Sequence, residues 1–348
     1  MSDFPLLRGP WRFADYARIP KNGRKVASCF HCGGGSTMGY KLAGFDVVGG
    51  VEIDPKMMAI YRANHRPRHS FMMGVQEFNQ LPREKIPEEM FNLDILDGSP
   101  PCSVFSMAGK REKKWGGEHH FREGQTKQRL DDLFLHFIET GRILQPRVIV
   151  AENVKGLLMG NAKGYVKEIF TAFDAAGYDA QLFLLCASRM GVPQRRERTF
   201  FVARRRDLGL PRLQLQMDEP EVGIGERIAD ITDPGKVYWL SPDAKALWMK
   251  VKPGETLARA HPKGHRFNSY IAHPNKPCHT LSASTEAVPI HWKEPRRFGV
   301  PEMRRLQTFP EDFDFCNVDA GYVMGMSVPP FMVQRLARQI YTQLLDRG

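Results

Sequence analysis

The chain has 348 residues, with 50 Lys and Arg against 39 Asp and Glu, a formal net charge of +11 and a sequence pI near 9.4. That length predicts two domains or one large domain with an insertion, and 42% hydrophobic residues, among them 22 Phe and 16 Met, exclude a disordered chain. The longest apolar run is roughly half a dozen residues, at 328–333, too short for a transmembrane helix.

The first residues, MSDFPLLRGPWRF, place an acid, prolines and arginine where a signal peptide needs a basic start and an apolar stretch. Six scattered cysteines predict reduced thiols rather than a disulfide scaffold, so a cytoplasmic location is the expectation. A basic pI by itself is compatible with nucleic acid, an acidic membrane surface or solubility alone.

From residue 25 to 205 predicted strands and helices alternate. Residues 25–30 and 47–53 read as strands, with a glycine-rich turn and a short helix at 36–43 between them, and Pro55 opens a helix to about 64. The segment Cys29-Phe-His-Cys32 is a CxxC, either half a zinc site or a redox pair; no second CxxC exists, and the pair runs into Gly33, Gly34 and Gly35. Those glycines follow a strand and precede a helix, where open α/β sheets bind nucleotides, and Glu52 at the end of the next strand can accept two ribose hydroxyls. The bland alternative is a tight strand-to-helix turn.

A strand at 93–98 leads into Gly98-Ser-Pro-Pro101-Cys102. The prolines fix two φ angles and hold one thiol at the carboxyl end of a strand, as a nucleophile is presented. The polar loop 103–128 carries Gly109, Gly116, Gly117 and Gly124 with many basic residues, as a closing lid requires. Leu130, Leu133, Phe134, Phe137 and Ile138 mark the core face of a helix at 126–144. Strands follow at 147–152, 179–185 and 199–203, with a helix at 163–176. Glu152 ends one strand, and the run Gln194 to Arg198 precedes another, with forked guanidinium donors. The alternation predicts a doubly wound, mostly parallel sheet. From 206 to 320 the rhythm is lost, which suggests a smaller second domain, and an amphipathic helix at 331–345 is expected to dock back on the first.

Together and in this order, these segments resemble the DNA (cytosine-5) methyltransferase family. FHCGGGSTMGYKLAGF and VEIDP are similar to its cofactor loop and ribose-binding acid, DILDGSPPCSVFS to its catalytic loop, AENVKG to its glutamate motif and GVPQRRER to its arginine motif. PEMRRLQTFPEDF resembles the segment that supports target recognition, and GMSVPP the last cofactor segment. The similarity runs from about residue 26 to 340 and leaves the target-recognition region unmatched.

The resemblance implies an α/β fold: a doubly wound Rossmann-like methyltransferase sheet with a second, smaller target-recognition domain. The corresponding division is an extension at 1–24, a catalytic domain at 25–205, a recognition domain at 206–320 and a returning helix at 321–348. It implies Cys102 as nucleophile on cytosine C6, Glu152 on N3 and the exocyclic amine, Arg198 on O2 and Arg196 on the neighbouring nucleic-acid backbone.

S-adenosylmethionine is the implied cofactor, S-adenosylhomocysteine its product, and no metal is expected. The implied cofactor-binding residues are Phe30, Cys32, Gly34, Gly35, Glu52, Ile53, Gly98, Pro101, Met326, Ser327 and Val328. DNA contacts are expected from Ser103, Lys110, Arg111, Lys113, Lys114, Gln194, Arg304 and Arg305. The implied partner is duplex DNA with the target base flipped out, bound by a cytoplasmic, nucleoid-associated monomer of bacterial or phage type, in the manner of restriction-modification enzymes. A companion endonuclease is not inferable.

The same motifs suit a structured RNA, and a catalytically silent DNA-binding module is the alternative from another class. The chain departs from the family pattern at Ser28, where an acid is usual, and at Cys32, Val75 and Met326, all on the cofactor side. Segments 109–129, 195–212, 245–266 and 293–305 hold 25 basic and 8 acidic residues, a net of +17 that leaves −6 for the rest. The expectation is that all four line one DNA-binding cleft.

Overall fold

The structure is a computed structural model that describes residues 6–101, 132–159, 162–283 and 288–346. Its centre is a seven-stranded sheet. In chain order the strands are β1 (Lys25–Cys29), β2 (Asp46–Val51), β3 (His69–Phe71), β4 (Ile95–Gly98), β5 (Val148–Val154), β6 (Tyr178–Cys186) and β8 (Glu197–Arg205), arranged spatially as β3-β2-β1-β4-β5-β8-β6. The first five strands of that order pair in parallel, whereas β8 runs antiparallel to both β5 and β6.

Helices cover both faces. α1 (Gly35–Leu42) follows β1, α2 (Pro55–His65) follows β2, α3 (Val75–Asn79) follows β3, and α4 (Leu133–Leu144) and α5 (Ala162–Ala175) flank β5. Each start has a local cause. Asp54 caps α2 by accepting from the backbone N–H groups of Lys56 and Met57, with Pro55 at the first helical position. Gly34 enters α1 at φ +86°, and a Cβ there would lie 2.1 Å from His65 Nε2, so only glycine fits.

The core lies in two layers, one on each side of the sheet. One contains Ala27, Leu96, Phe134, Phe137, Ile138, Ile149 and Phe201, and here Phe134, Phe137 and Ile138 of α4 bury the stripe read from the sequence. The other contains Val26, Ile95, Val150 and Phe200 and extends without a break through Leu213, Ile224, Leu281, Phe298 and Leu306 to Val333 and Leu336. Much of the region after 205 therefore shares the sheet's core. Among the described residues only Ala244, Val251, Leu257, Ile271 and Ile290 form a separate buried cluster, around α7 (Pro242–Trp248).

Between these lie a second, two-stranded sheet, β7 (Gln194–Arg195) against β9 (Cys278–His279), and the helices α6 (Ile224–Ile228), α8 (Val300–Gln307) and α9 (Ala320–Met326). α10 (Pro330–Ile340) packs on α1. Gln334 donates to the Leu42 carbonyl at 3.0 Å, and a Cβ on Gly39 would meet Val333. No helix among the described residues is long and apolar enough to cross a membrane.

Candidate active site

The carboxyl ends of β1, β2, β4 and β5 meet at one edge of the sheet, and the glycine loop, Glu52, Gly98 and Glu152 lie there, as the open α/β architecture requires. Cys102 and the loop residues Ser103, Lys110, Arg111, Lys113 and Lys114 lie outside the described residues. The segment that delivers Cys102 is described, and Pro100 is held by Asn153, whose Nδ2 donates to the Pro100 carbonyl at 3.1 Å. A Cβ on Gly98 would approach Phe137 to 2.4 Å, so glycine lets the strand end pass close over α4.

Glu152 stands on β5 beside Asn153. Its Oε1 receives Arg198 Nε at 2.9 Å, with the two side chains 11% and 14% exposed. Val154 faces Arg198 in the antiparallel β5–β8 register, so the reversed strand places the guanidinium over the carboxylate. Burial lowers the pKa of Arg198 from its usual range and Glu152 opposes that shift, which keeps a desolvated, charge-matched donor at the site.

Arg196 and Gln194 occupy different places from those expected of DNA contacts. Arg196 is 1% exposed, with Nη1 on the Leu281 carbonyl and Nη2 on the Gly325 carbonyl, both at 2.9 Å. Gln194 is fully buried. Its Nε2 donates to Gln307 Oε1 at 2.7 Å and its Oε1 accepts the Leu281 N–H at 2.9 Å, while Gln307 donates to the Ser327 carbonyl at 2.8 Å.

Both side chains brace the segment around Leu281 against the segment 325–327, and neither has a polar terminus free for a phosphate. Arg304 is likewise spent on the carbonyls of Glu311 and Phe313, and Arg305 on Asp230 and Glu311.

The expected cofactor residues do come together. Glu52 accepts the N–H of Cys32 at 2.9 Å and that of Asp54 at 3.0 Å. A Cβ on Gly35 would lie 2.3 Å from the Val328 carbonyl and 2.9 Å from Ser327 Cβ, so the last segment lies directly on the glycine loop. Phe30 and Cys32 both take positive φ, and Met326 is 46% exposed.

The CxxC is neither a disulfide nor a thiolate pair. Cys29 is buried, the Cys32 thiol contacts Met57 Sδ at 3.4 Å, and burial raises the pKa of both thiols, that of Cys32 to about 12. No cluster of three metal-ligating side chains occurs among the described residues.

Two residues at this edge lie inside the quoted motifs without a role assigned to them from the sequence. Asn153 could have been read from its place beside Glu152. Asp97 is the other: it is 3% exposed, its Oδ2 accepts Ser28 Oγ at 2.8 Å and its Oδ1 accepts Tyr40 Oη at 3.2 Å.

The basic segments do not all line one cleft. On β8, Arg198 faces Val154 at the site while Arg204 faces Val148, so Arg204 to Arg206 sit about 20 Å away at the other end of the sheet. There Arg206 pairs with Asp174 and Asp179, and Arg205 with Asp207.

A mostly parallel sheet with a glycine loop, Glu52 and a buried Glu152–Arg198 pair at its carboxyl edge is the arrangement of an open α/β enzyme. The family model for C-5 cytosine-specific DNA methylases matches residues 25–342, and the chain belongs to that family.

Among its relatives, the type II methyltransferase M.NgoPII of Neisseria gonorrhoeae is 27% identical, over 92% of this chain and 96% of that one. M.NgoFVII of the same organism is 29% identical, over 92% and 87%. Of solved structures, a prophage-encoded DNA modification methyltransferase of E. coli has a TM-score of 0.73 at 22% identity, covering 92% of this chain and 99% of the other. Dnmt2 of S. pombe has a TM-score of 0.62 at 15% identity, covering 92% and 99%, and shows the shared fold. The protein is accordingly a DNA cytosine-5 methyltransferase.

Proposed function

We propose that the protein methylates C5 of a cytosine flipped out of duplex DNA, using S-adenosylmethionine and a transient bond between Cys102 Sγ and C6. The observation that carries this reading is the buried Glu152–Arg198 pair beside Asn153, which grips the segment leading to Cys102.

The cofactor side fits such a group. Two backbone N–H bonds hold the Glu52 carboxylate in one orientation and leave a lone pair on each oxygen for adjacent hydroxyls. Glu52 and Ile53 would hold the ribose and adenine end. Phe30, Cys32, Gly34, Gly35 and the segment 326–328 would form the walls, and Gly98 and Pro101 would face the reacting end. When bound, S-adenosylmethionine supplies an electrophilic methyl group on a sulfonium.

The remaining steps belong to the chain's own side chains. Cytosine C5 is a poor nucleophile, so the Cys102 thiolate adds to C6, and the electron pair displaced from the C5–C6 bond gives C5 enamine character. Glu152 at N3 and the exocyclic amine stabilises the charge that this addition develops, and Arg198 holds O2 with fixed donors. After methylation the C5 proton leaves, its electron pair reforms the double bond, and the C6–S bond breaks to release the thiolate. The base is inside the stack in a duplex, so extrusion costs a few kcal/mol, which the contacts of Glu152 and Arg198 with the flipped base offset. The type II relatives favour DNA modification in a restriction-modification setting, and the reading has the enzyme act as a monomer in the cytoplasm.

Bisulfite sequencing of DNA from a host expressing the chain tests activity, substrate and target together. Cytosines methylated at one recurring short site are expected, along with a covalent adduct on 5-fluorocytosine DNA that Cys102→Ser abolishes. Unmethylated DNA beside methylated tRNA would redirect the reading to RNA, and no methylation of either would leave a silent DNA-binding module.

A further inference from the structure

We propose that Asp97 is a positioning residue for methyl transfer: a carboxylate carried on β4 opposite Ser28, instead of at the end of β1, that holds the cofactor loop and the catalytic loop in one fixed relation. The proposal rests on the methyltransferase reading above and deepens it.

The parallel β1–β4 register pairs Ser28 with Asp97 directly, and both are buried, at 1% and 3% exposure. Across one strand spacing of about 4.8 Å the Asp97 carboxylate reaches the end of β1, at the position where the resemblance implies an acid.

Its bonds reach both flanks of the cofactor loop. Ser28 Oγ donates from the strand that enters the loop, and Tyr40 Oη donates from the helix that leaves it, with Ser36 at the start of that helix adding a further side-chain bond. On its own strand Asp97 stands five positions before Cys102. Pro100 and Pro101 each have a fixed φ and Asn153 grips the Pro100 carbonyl, so the carboxylate is joined to a stiff segment, 98–101, that leads toward Cys102 in the sequence. One side chain thus connects the two loops whose separation sets the distance from methyl group to C5.

The other groups that face it are Cys29 from β1, Tyr61 from α2 and Glu152 from β5, none of them cationic. An amide of the same shape keeps one acceptor oxygen and replaces the other with a donor, so Asp97→Asn disturbs one of the two hydroxyl bonds at constant volume, and transfer rate set against melting temperature is what the test reads.

The experiment compares the full chain with Asp97→Asn, Ser28→Asp and the double variant Ser28→Asp/Asp97→Ser. S-adenosylhomocysteine affinity is measured by calorimetry, single-turnover methyl transfer on duplex DNA by kinetics, and folding by melting. Asp97→Asn is expected to melt cooperatively, to lose about tenfold in S-adenosylhomocysteine affinity through the disturbed hydroxyl bond, and to lose about 100-fold in transfer rate through misplacement. Ser28→Asp places two carboxylates face to face and is expected to be impaired as well. The double variant restores one acid and is expected within about threefold of the parent chain.

Unchanged affinity and rate in Asp97→Asn would overturn the proposal even if its melting temperature fell, and so would a double variant no better than the worse single. If Asp97→Asn does not fold, Tyr40→Phe carries the test by removing one donor, and the same loss of rate at unchanged DNA KM is required of it. A parent chain that binds no S-adenosylhomocysteine and methylates no cytosine defeats the underlying reading, whereas an active parent with an equally active Asp97→Asn defeats this inference alone.

Discussion

Gln194 donates to Gln307 at 2.7 Å inside the protein, and both side chains are fully buried. This amide pair continues to the Ser327 carbonyl on one side and the Leu281 N–H on the other, so it ties the segment around Leu281 to the segment 325–327. Gln194→Ala would leave the Leu281 N–H and Gln307 Oε1 without partners, at about 1–3 kcal/mol for each buried group left unmade. Urea unfolding is expected to show that loss, with a weakened affinity for S-adenosylhomocysteine. A variant with full stability would show that the pair holds nothing.

Glu152 and Arg198 form the buried ion pair of the site. Removing one partner strands the other charge, so Arg198→Met should destabilise the fold by about 3–5 kcal/mol, whereas replacing both with uncharged isosteres should cost less than either single change. Glu152→Gln keeps the shape but leaves the buried Arg198 charge without its partner, so it is expected to lower the melting temperature as well as single-turnover methylation, the latter by about 100-fold or more. Denaturation and single-turnover kinetics on the same samples separate the two effects.

Burial raises the Asp97 carboxyl to about 7, with Glu152 adding to the shift. In the unfolded chain the same group ionises near about 4, so across the interval the folded state retains a proton that the unfolded state has lost. Its contribution to stability is therefore complete below about pH 4 and is lost as pH rises through about 7, by roughly 1 kcal/mol per pH unit. Asp97→Asn removes that dependence. The stability of the parent chain relative to Asp97→Asn should fall between about pH 5 and about pH 8 in urea unfolding, and an equal difference at both would refute the assignment.

Arg206 and Arg305 are engaged with protein carboxylates, Arg206 with Asp174 and Asp179 and Arg305 with Asp230 and Glu311. Replacing either with Ala should leave the salt dependence of DNA binding unchanged. Replacing Lys110, Arg111, Lys113 and Lys114 together should flatten the slope of log K against log salt by roughly 3 to 4 units, as expected for four lost phosphate contacts. Titrations at several salt concentrations check both.

The elements themselves were legible because their signals are local. The stripe of Leu133, Phe134, Phe137 and Ile138, the Asp54-Pro55 start of α2 and the glycine turn before α1 all depend on neighbours within a few residues, and the structure has each of them. The antiparallel direction of β8 was not legible, because an apolar run reads the same forwards and backwards, and only pairing with β5 and β6 decides it. The same holds for the short strand His69–Phe71, which has no pattern of its own until β2 lies beside it.

The ordered motifs of this sequence determined the family and put Glu152, Glu52 and the glycine loop at the carboxyl edge of the sheet, since a strand's end is the same place in every doubly wound fold. Tertiary structure decided which polar side chains face the site and which are spent within the protein. Arginine and glutamine look alike in sequence whether solvated or buried. Arg196, Gln194, Arg304 and Arg305 became internal braces because carbonyls and carboxylates distant in the chain surround them, while Asp97 became a site residue because a neighbouring strand delivered Ser28 and a helix delivered Tyr40. Burial of a polar group is a property of what packs against it, and that is set by chain segments up to hundreds of residues away.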